Sequence, residues 1–201
     1  IRHSEKVFNM KKLLLILILT LSFQSFTKAD DISDFEIEGM SIGDSLLDFI
    51  NINEIKKAEE NPSFYADKKY IVIFLNQESD LYDEIEITYK TKDRNYIIAS
   101  VNGIVLYADN FDKCKKDKIK IVDEFKLIFK DADFKEIEEP HSYDLNSIVH
   151  KSDFYLKTGG LARVVCTDWS EEMFTANGWE DNMKISTMGE RFNIYLSKVY
   201  D

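Results

Sequence analysis

The chain is poor in the residue patterns that build dedicated chemistry. Seven glycines in 201 residues form no phosphate-cradling loop. Three histidines include no His-Glu-x-x-His pair, and no Gly-x-Ser-x-Gly elbow is present. There is no Asp-x-Asp-x-Asp-Gly loop for calcium. The acids available to a calcium site are those of Asp168–Asp181, or Asp80, Asp83 and Glu84, but acidic loops are common in so acidic a chain. No catalytic residue, metal ligand or cofactor is therefore assigned. Basic residues are also in deficit, with 26 Lys and Arg against 37 Asp and Glu and a net charge of −11. That argues against nucleic acid and anionic lipid as partners, since both call for basic patches.

What is present begins with an address. Met10-Lys11-Lys12 precedes the apolar run Leu13 to Phe23, and Thr27-Lys28-Ala29 offers small residues for cleavage. This reads as a secretory signal peptide over residues 1–29, with its core at 10–29, removed on export. The apolar run is short of the roughly 20 residues that span a bilayer, which disfavours an uncleaved anchor. No stable membrane insertion is expected after cleavage. Ile1 to Asn9 read as an n-region extension or translated upstream sequence. Five basic side chains and one acid lie in residues 1–29, so residues 30–201 are more acidic still. The expected location is periplasmic or secreted.

Export places the only two cysteines, Cys114 and Cys166, in an oxidising space, where an even pair reads as a disulfide. Two buried thiols are the plainer alternative. A reactive Cys166 working with His150 would need an activated, exposed setting that the sequence does not display.

The pattern along residues 30–201 predicts one α+β domain with a mostly antiparallel sheet and helices on one face. Phe111, Cys114, Lys118, Ile121, Phe125, Ile128 and Ala132 repeat at helical spacing behind an Asn110 cap, giving a central helix over 111–132. Ser41-Ile42-Gly43-Asp44 fits a capping box before a short helix at Leu46, Leu47 and Ile50, and a second piece runs from Asn53 to Glu59. Strands are expected at Tyr70–Leu75, Asp83–Lys90 and Tyr96–Tyr107, the last bulged at Asn102-Gly103. After the central helix comes an acidic connection, Asp133–Asn146. Strands at Ile148–Leu156, Leu161–Asp168 and Asn182–Met188 follow, then a last helix from Glu190 to Tyr200. The order helix-βββ-helix-βββ-helix reads as a loose tandem duplication with halves 35–108 and 109–201. One face of the sheet would be left to solvent or a partner.

Ile37-Glu38-Gly39-Met40-Ser41-Ile42-Gly43-Asp44-Ser45-Leu46-Leu47, Cys114, and Cys166-Thr167-Asp168-Trp169-Ser170-Glu171-Glu172-Met173 resemble a group of small secreted proteins of AT-rich marine bacteria. That group has no activity to carry across. Gly39-Met40-Ser41 opening a short helix before three strands also resembles, at fold level, periplasmic modules of the β-lactamase-inhibitor-protein and outer-membrane-assembly-lipoprotein type. That resemblance implies binding of other proteins. The lipoprotein version's lipidation cysteine has no counterpart here.

The densest set of unusual residues is Asp168–Asp181. Trp169 and Trp179, both tryptophans of the chain, lie there with Glu171, Glu172 and Phe174. Tryptophan anchors are common at interfaces, so these five are the candidate binding residues. The competing reading has the tryptophans capping the core and the acids facing water. The leading functional expectation is a non-enzymatic binding or interaction module for an unknown protein or small ligand. The alternatives are a small hydrolase with an unrecognised site and an envelope-assembly accessory protein.

Overall fold

Alternation along each strand sends successive side chains to opposite faces, so every strand writes half its sequence on each side of the sheet. A computed structural model describes residues 31–65, 67–75 and 79–200. The signal-peptide reading of residues 1–29 lies outside them. Eight strands form one antiparallel sheet in the order β1-β2-β3-β4-β8-β7-β6-β5. They are β1 (Ser63–Phe64), β2 (Tyr70–Leu75), β3 (Glu84–Lys90), β4 (Ile98–Ala108), β5 (Asp133–Pro140), β6 (Ile148–Tyr155), β7 (Leu161–Asp168) and β8 (Asp181–Met188). The helices are α1 (Ile52–Ala58), α2 (Phe111–Ile128), α3 (Glu171–Asn177) and α4 (Glu190–Tyr200). Two runs of four strands meet at the β4–β8 seam, where Ser100 opposes Met188 and Leu106 opposes Asn182.

The first face holds the main core. Ile73, Ile85, Ile87, Val101, Val105, Val164 and Met183 share one buried cluster with Ile121, Val122, Phe125 and Phe129 at the C-terminal end of α2, and α2 lies over β7, β8 and β4. Full burial of each such side chain is worth about 1.5–3 kcal/mol against exposure. α2 starts as its sequence predicts: the Asn110 side chain accepts the Lys113 N–H at 3.1 Å. It stops short of Ala132, at Ile128, because Phe129 leaves helical backbone and turns the chain into β5. Cys114 and Cys166 form the expected disulfide, with Cα atoms 6.0 Å apart, pinning α2 to β7. Lys118, which shares the buried stripe, is nearly enclosed, and burial lowers its ammonium pKa against the opposing pull of Glu136 and Asp153.

The α+β architecture matches the pattern in the sequence, with additions. α1 lies with α2 on the first face, where Ile55 joins the core. α4 instead crosses one end of the second face: Phe192 and Tyr195 pack with Tyr70, Leu161 and Met188 in a separate cluster. Leu161 alternates with Ala162 and Met188 with Thr187, so this cluster sits opposite the main core. The acidic connection after α2 contains an edge strand, β5, whose charged side chains face water. Ser41–Asp44 forms a turn, with Asp44 accepting the Ser41 N–H, and the cap proper is Ser45, which accepts the Leu47 N–H. Asn102-Gly103 is no bulge: β3 and β4 stay in register there, with Glu86 opposite Asn102 and Ile85 opposite Gly103. Glycine is needed at 103 because a Cβ would overlap the ring of Tyr82. Among the described residues no helix is long and apolar enough to cross a membrane.

Candidate functional site

The second face remains uncovered between α4 and the opposite end of the strands, where β7 leads into α3. Local sequence shapes that end. Ser170 caps α3 by accepting the Met173 N–H at 3.3 Å. Gly178, at φ +71°, closes the helix with its N–H on the Phe174 carbonyl and turns the chain back toward β8. This excursion brings Trp169 and Trp179 together, their ring centroids 4.6 Å apart. The β5–β6 turn completes the cluster. His141 lies 4.5 Å from the Trp169 ring, and Tyr143 lies 5.4 Å from the Trp179 ring.

A hydroxyl–carboxylate knot holds the two loops together. Asp144 accepts from the hydroxyls of Ser147 and Ser170, each at 2.6 Å, while Ser170 N–H donates to Ser147 Oγ at 2.9 Å. Those hydroxyls hold the Asp144 carboxyl below the ordinary carboxylate range. The Trp169 N–H donates to Asp181, whose carboxyl is raised by burial and by the nearby Asp168 and Asp109. Burial and Lys151 lower the His141 imidazole pKa against the pull of Asp144, and the Tyr143 N–H donates to its Nδ1 at 3.1 Å.

Between this cluster and α4 lies a groove of about 1180 Å³. Its floor is polar and internally paired. Glu86 on β3 accepts from Asn102 of β4 at 2.7 Å and from Lys184 of β8 at 3.0 Å. Arg163 on β7 forks onto Asp153 of β6 with two bonds of 2.6 Å, and the Tyr155 hydroxyl adds a third at 3.0 Å. Asp153 is fully buried, so this bidentate arrangement is what makes its charge tolerable there. Lys151 pairs with Glu139 at the β5 side. Fixed hydrogen-bond geometry on a sheet gives a rigid, pre-arranged surface of donors and acceptors.

The five residues singled out from the sequence divide into two groups. Trp169 and Trp179 stand together at the groove's end, half-buried and 36% exposed respectively, and neither belongs to the core clusters. Glu171, Glu172 and Phe174 sit on α3 outside the groove lining. The two acids occupy the first turn of α3, where they complement the helix dipole, and Phe174 is 54% exposed. Cys166 is bonded and enclosed. His150 pairs with Glu138 at 3.3 Å and meets the Phe111 ring edge-on, centroids 5.1 Å apart. Asp83 accepts the Leu106 N–H at 2.9 Å. Among the described residues no three His, Cys, Asp or Glu side chains are grouped to hold a metal ion.

Sequence reasoning did not find His141, Tyr143, Glu86, Asn102, Lys184 or the Arg163–Asp153 fork. The one available signal was the alternation of β3, which puts Glu84 and Glu86 opposite the core-facing Ile85 and Ile87. Comparison with known proteins finds no matching protein family, no matching curated protein and no matching solved structure.

Proposed function

We propose that this protein is a non-enzymatic binding module of the periplasm or the extracellular space. Its binding surface is the second face of the sheet, from the Trp169–Trp179 cluster along the groove to α4. One observation carries the reading: a wide sheet face is left open beside two partly exposed tryptophans whose rings pack at a tilt. Three carboxylates of its floor, on Glu86, Glu139 and Asp153, are already held by neighbouring cations. Rigid aromatic anchors beside a pre-satisfied polar surface favour recognition, because little side-chain entropy is lost on docking. The resemblance to periplasmic inhibitor and assembly modules points the same way. The signal-peptide reading and the Cys114–Cys166 bond support the location.

The test begins with the oxidised protein as bait against the native envelope fraction. Trp179→Ala is expected to abolish capture of a specific partner while leaving the melting transition within about 1 kcal/mol of the parent, as for a partly exposed site. Capture that survives Trp179→Ala, or a collapse of folding in that variant, contradicts the proposal. Mass spectrometry of exported material is expected to show Asp30 at the amino terminus and two hydrogens fewer than the dithiol.

A further inference from the structure

The charges of the groove are unevenly compensated, and this bears on what fits it. Three pairs cancel within the floor: Glu86 with Lys184, Glu139 with Lys151, and Asp153 with Arg163. Two lining carboxylates remain, Glu84 and Glu180, both at the Trp179 end. Neither carboxylate has a hydrogen-bond or ion-pair partner among the described residues. Partial burial raises the Glu84 carboxyl, and Glu86, Asp83 and Glu180 raise it further against the pull of Lys184. Glu84 and Glu180 thus leave surplus negative charge beside Leu106, 38% exposed, and Trp179. An apolar step next to surplus negative charge is complementary to a cation carried beside an apolar side chain.

We propose that the groove takes a polypeptide loop of a partner protein that presents Arg or Lys next to an aromatic or aliphatic residue. The cation sits between Glu84 and Glu180, and the apolar neighbour lies on Trp179 and Leu106. This rests on the reading of the second face as the binding surface. A second copy of the chain is a poor occupant, because a net charge of −11 sets like charge against like. The same sign disfavours acidic protein segments.

The test selects disulfide-constrained random loops, displayed on phage, against the oxidised protein. Recovered loops are expected to carry Arg or Lys beside an apolar residue. Their binding is expected to weaken about tenfold for Glu84→Gln/Glu180→Gln, with a shallower salt dependence, from two exposed charge contacts. It should weaken about thirtyfold for Trp179→Ala, as for an interface anchor. Melting curves of both variants establish that they fold. Loops without a cation, or loops indifferent to Glu84→Gln/Glu180→Gln yet lost with Trp179→Ala, overturn the cationic partner and leave the binding face standing. Loops indifferent to both Trp179→Ala and Lys184→Glu remove the binding face itself. Concentration-dependent dimerisation that Trp179→Ala abolishes assigns the groove to a second copy and overturns the proposal.

Discussion

The disulfide gives the sharpest energetic expectation. Cys114 and Cys166 are 52 residues apart in sequence, and both are fully buried. Closing a loop of that length removes conformational freedom from the unfolded chain worth about 4 kcal/mol. Native domains hold only about 5–15 kcal/mol in total, so the bond accounts for a large share of stability. The perturbation is Cys114→Ala/Cys166→Ala, which removes the cross-link and leaves a small apolar gap. Unfolding in guanidinium is expected to give a free energy about 4 kcal/mol lower, with an earlier midpoint and a larger m-value from a more extended unfolded state. In thermal melts the same loss is about 8–16 °C for a domain of this size. Cys114→Ser/Cys166→Ser is expected to fall at least as far, because two hydroxyls are buried where the Asn182 carbonyl, 3.4 Å from Cys114 Sγ, is the acceptor at hand. A difference below about 1 kcal/mol between the oxidised parent and the alanine pair would refute the loop-entropy argument.

Arg163→Met leaves the enclosed Asp153 carboxylate with only the Tyr155 hydroxyl, so denaturant unfolding is expected to lose about 3–5 kcal/mol. Adding Asp153→Leu should recover most of it, and a single-variant loss under about 1 kcal/mol contradicts the fork's role. Asp117 and Asp168 should give opposite pH signatures. Burial pushes Asp117 up, but hydrogen bonds from Lys113 and Lys120 outweigh it and hold its folded pKa below the ordinary value. Its charge therefore stabilises the fold above the unfolded carboxylate pKa of about 3.9, and the benefit disappears as pH falls through the folded value. Asp117→Asn should be destabilised near neutrality and approach the parent in acid. Asp168 is raised by burial first, then by Asp109 and Asp112, against Lys115 and His150. The fold favours its protonated form, so that contribution is present below the unfolded pKa and is lost as pH rises through the raised folded value. Asp168→Asn should gain stability near neutrality and lose the advantage in acid; melting curves across pH 3–7 that run parallel for both variants would refute these assignments.

Much of the scaffold was legible because local patterns and tertiary demands agree. Tyr70–Leu75, Leu161–Asp168 and Glu190–Tyr200 match the elements observed to the residue, and Asn110 caps α2 as its side chain predicts. β5 was hidden because an edge strand needs little apolar sequence: only Phe134 and Ile137 are even half-buried in it. Asn102-Gly103 looked like a bulge because the glycine's purpose, room for Tyr82, is set by a residue outside the strand. The β4–β8 seam was not legible, since nothing local to β4 names a partner more than 70 residues downstream. The groove shares that difficulty. Tryptophans stand out in any composition, but Glu86 and Lys184 are 98 residues apart and meet only after the seam forms.

The cross-link and the groove occupy opposite faces of the same strand, and alternation ties them together. Cys166 points to α2, while its neighbours Val165 and Thr167 line the groove and Trp169 begins the aromatic cluster. Pinning Cys166 therefore fixes the end of β7 from behind, at the point where it lines the proposed binding face. A bond that acted only through the unfolded state would slow exchange of all core amides alike. One that also braces β7 should protect the Val165–Trp169 amides beyond the global loss. Hydrogen exchange on oxidised and reduced protein, at a temperature where both stay folded, separates the cases. The expectation is that reduction accelerates exchange at the end of β7 more than in β3, on the far side of the seam. Equal acceleration in the two strands would show that the disulfide stabilises the fold without shaping the site.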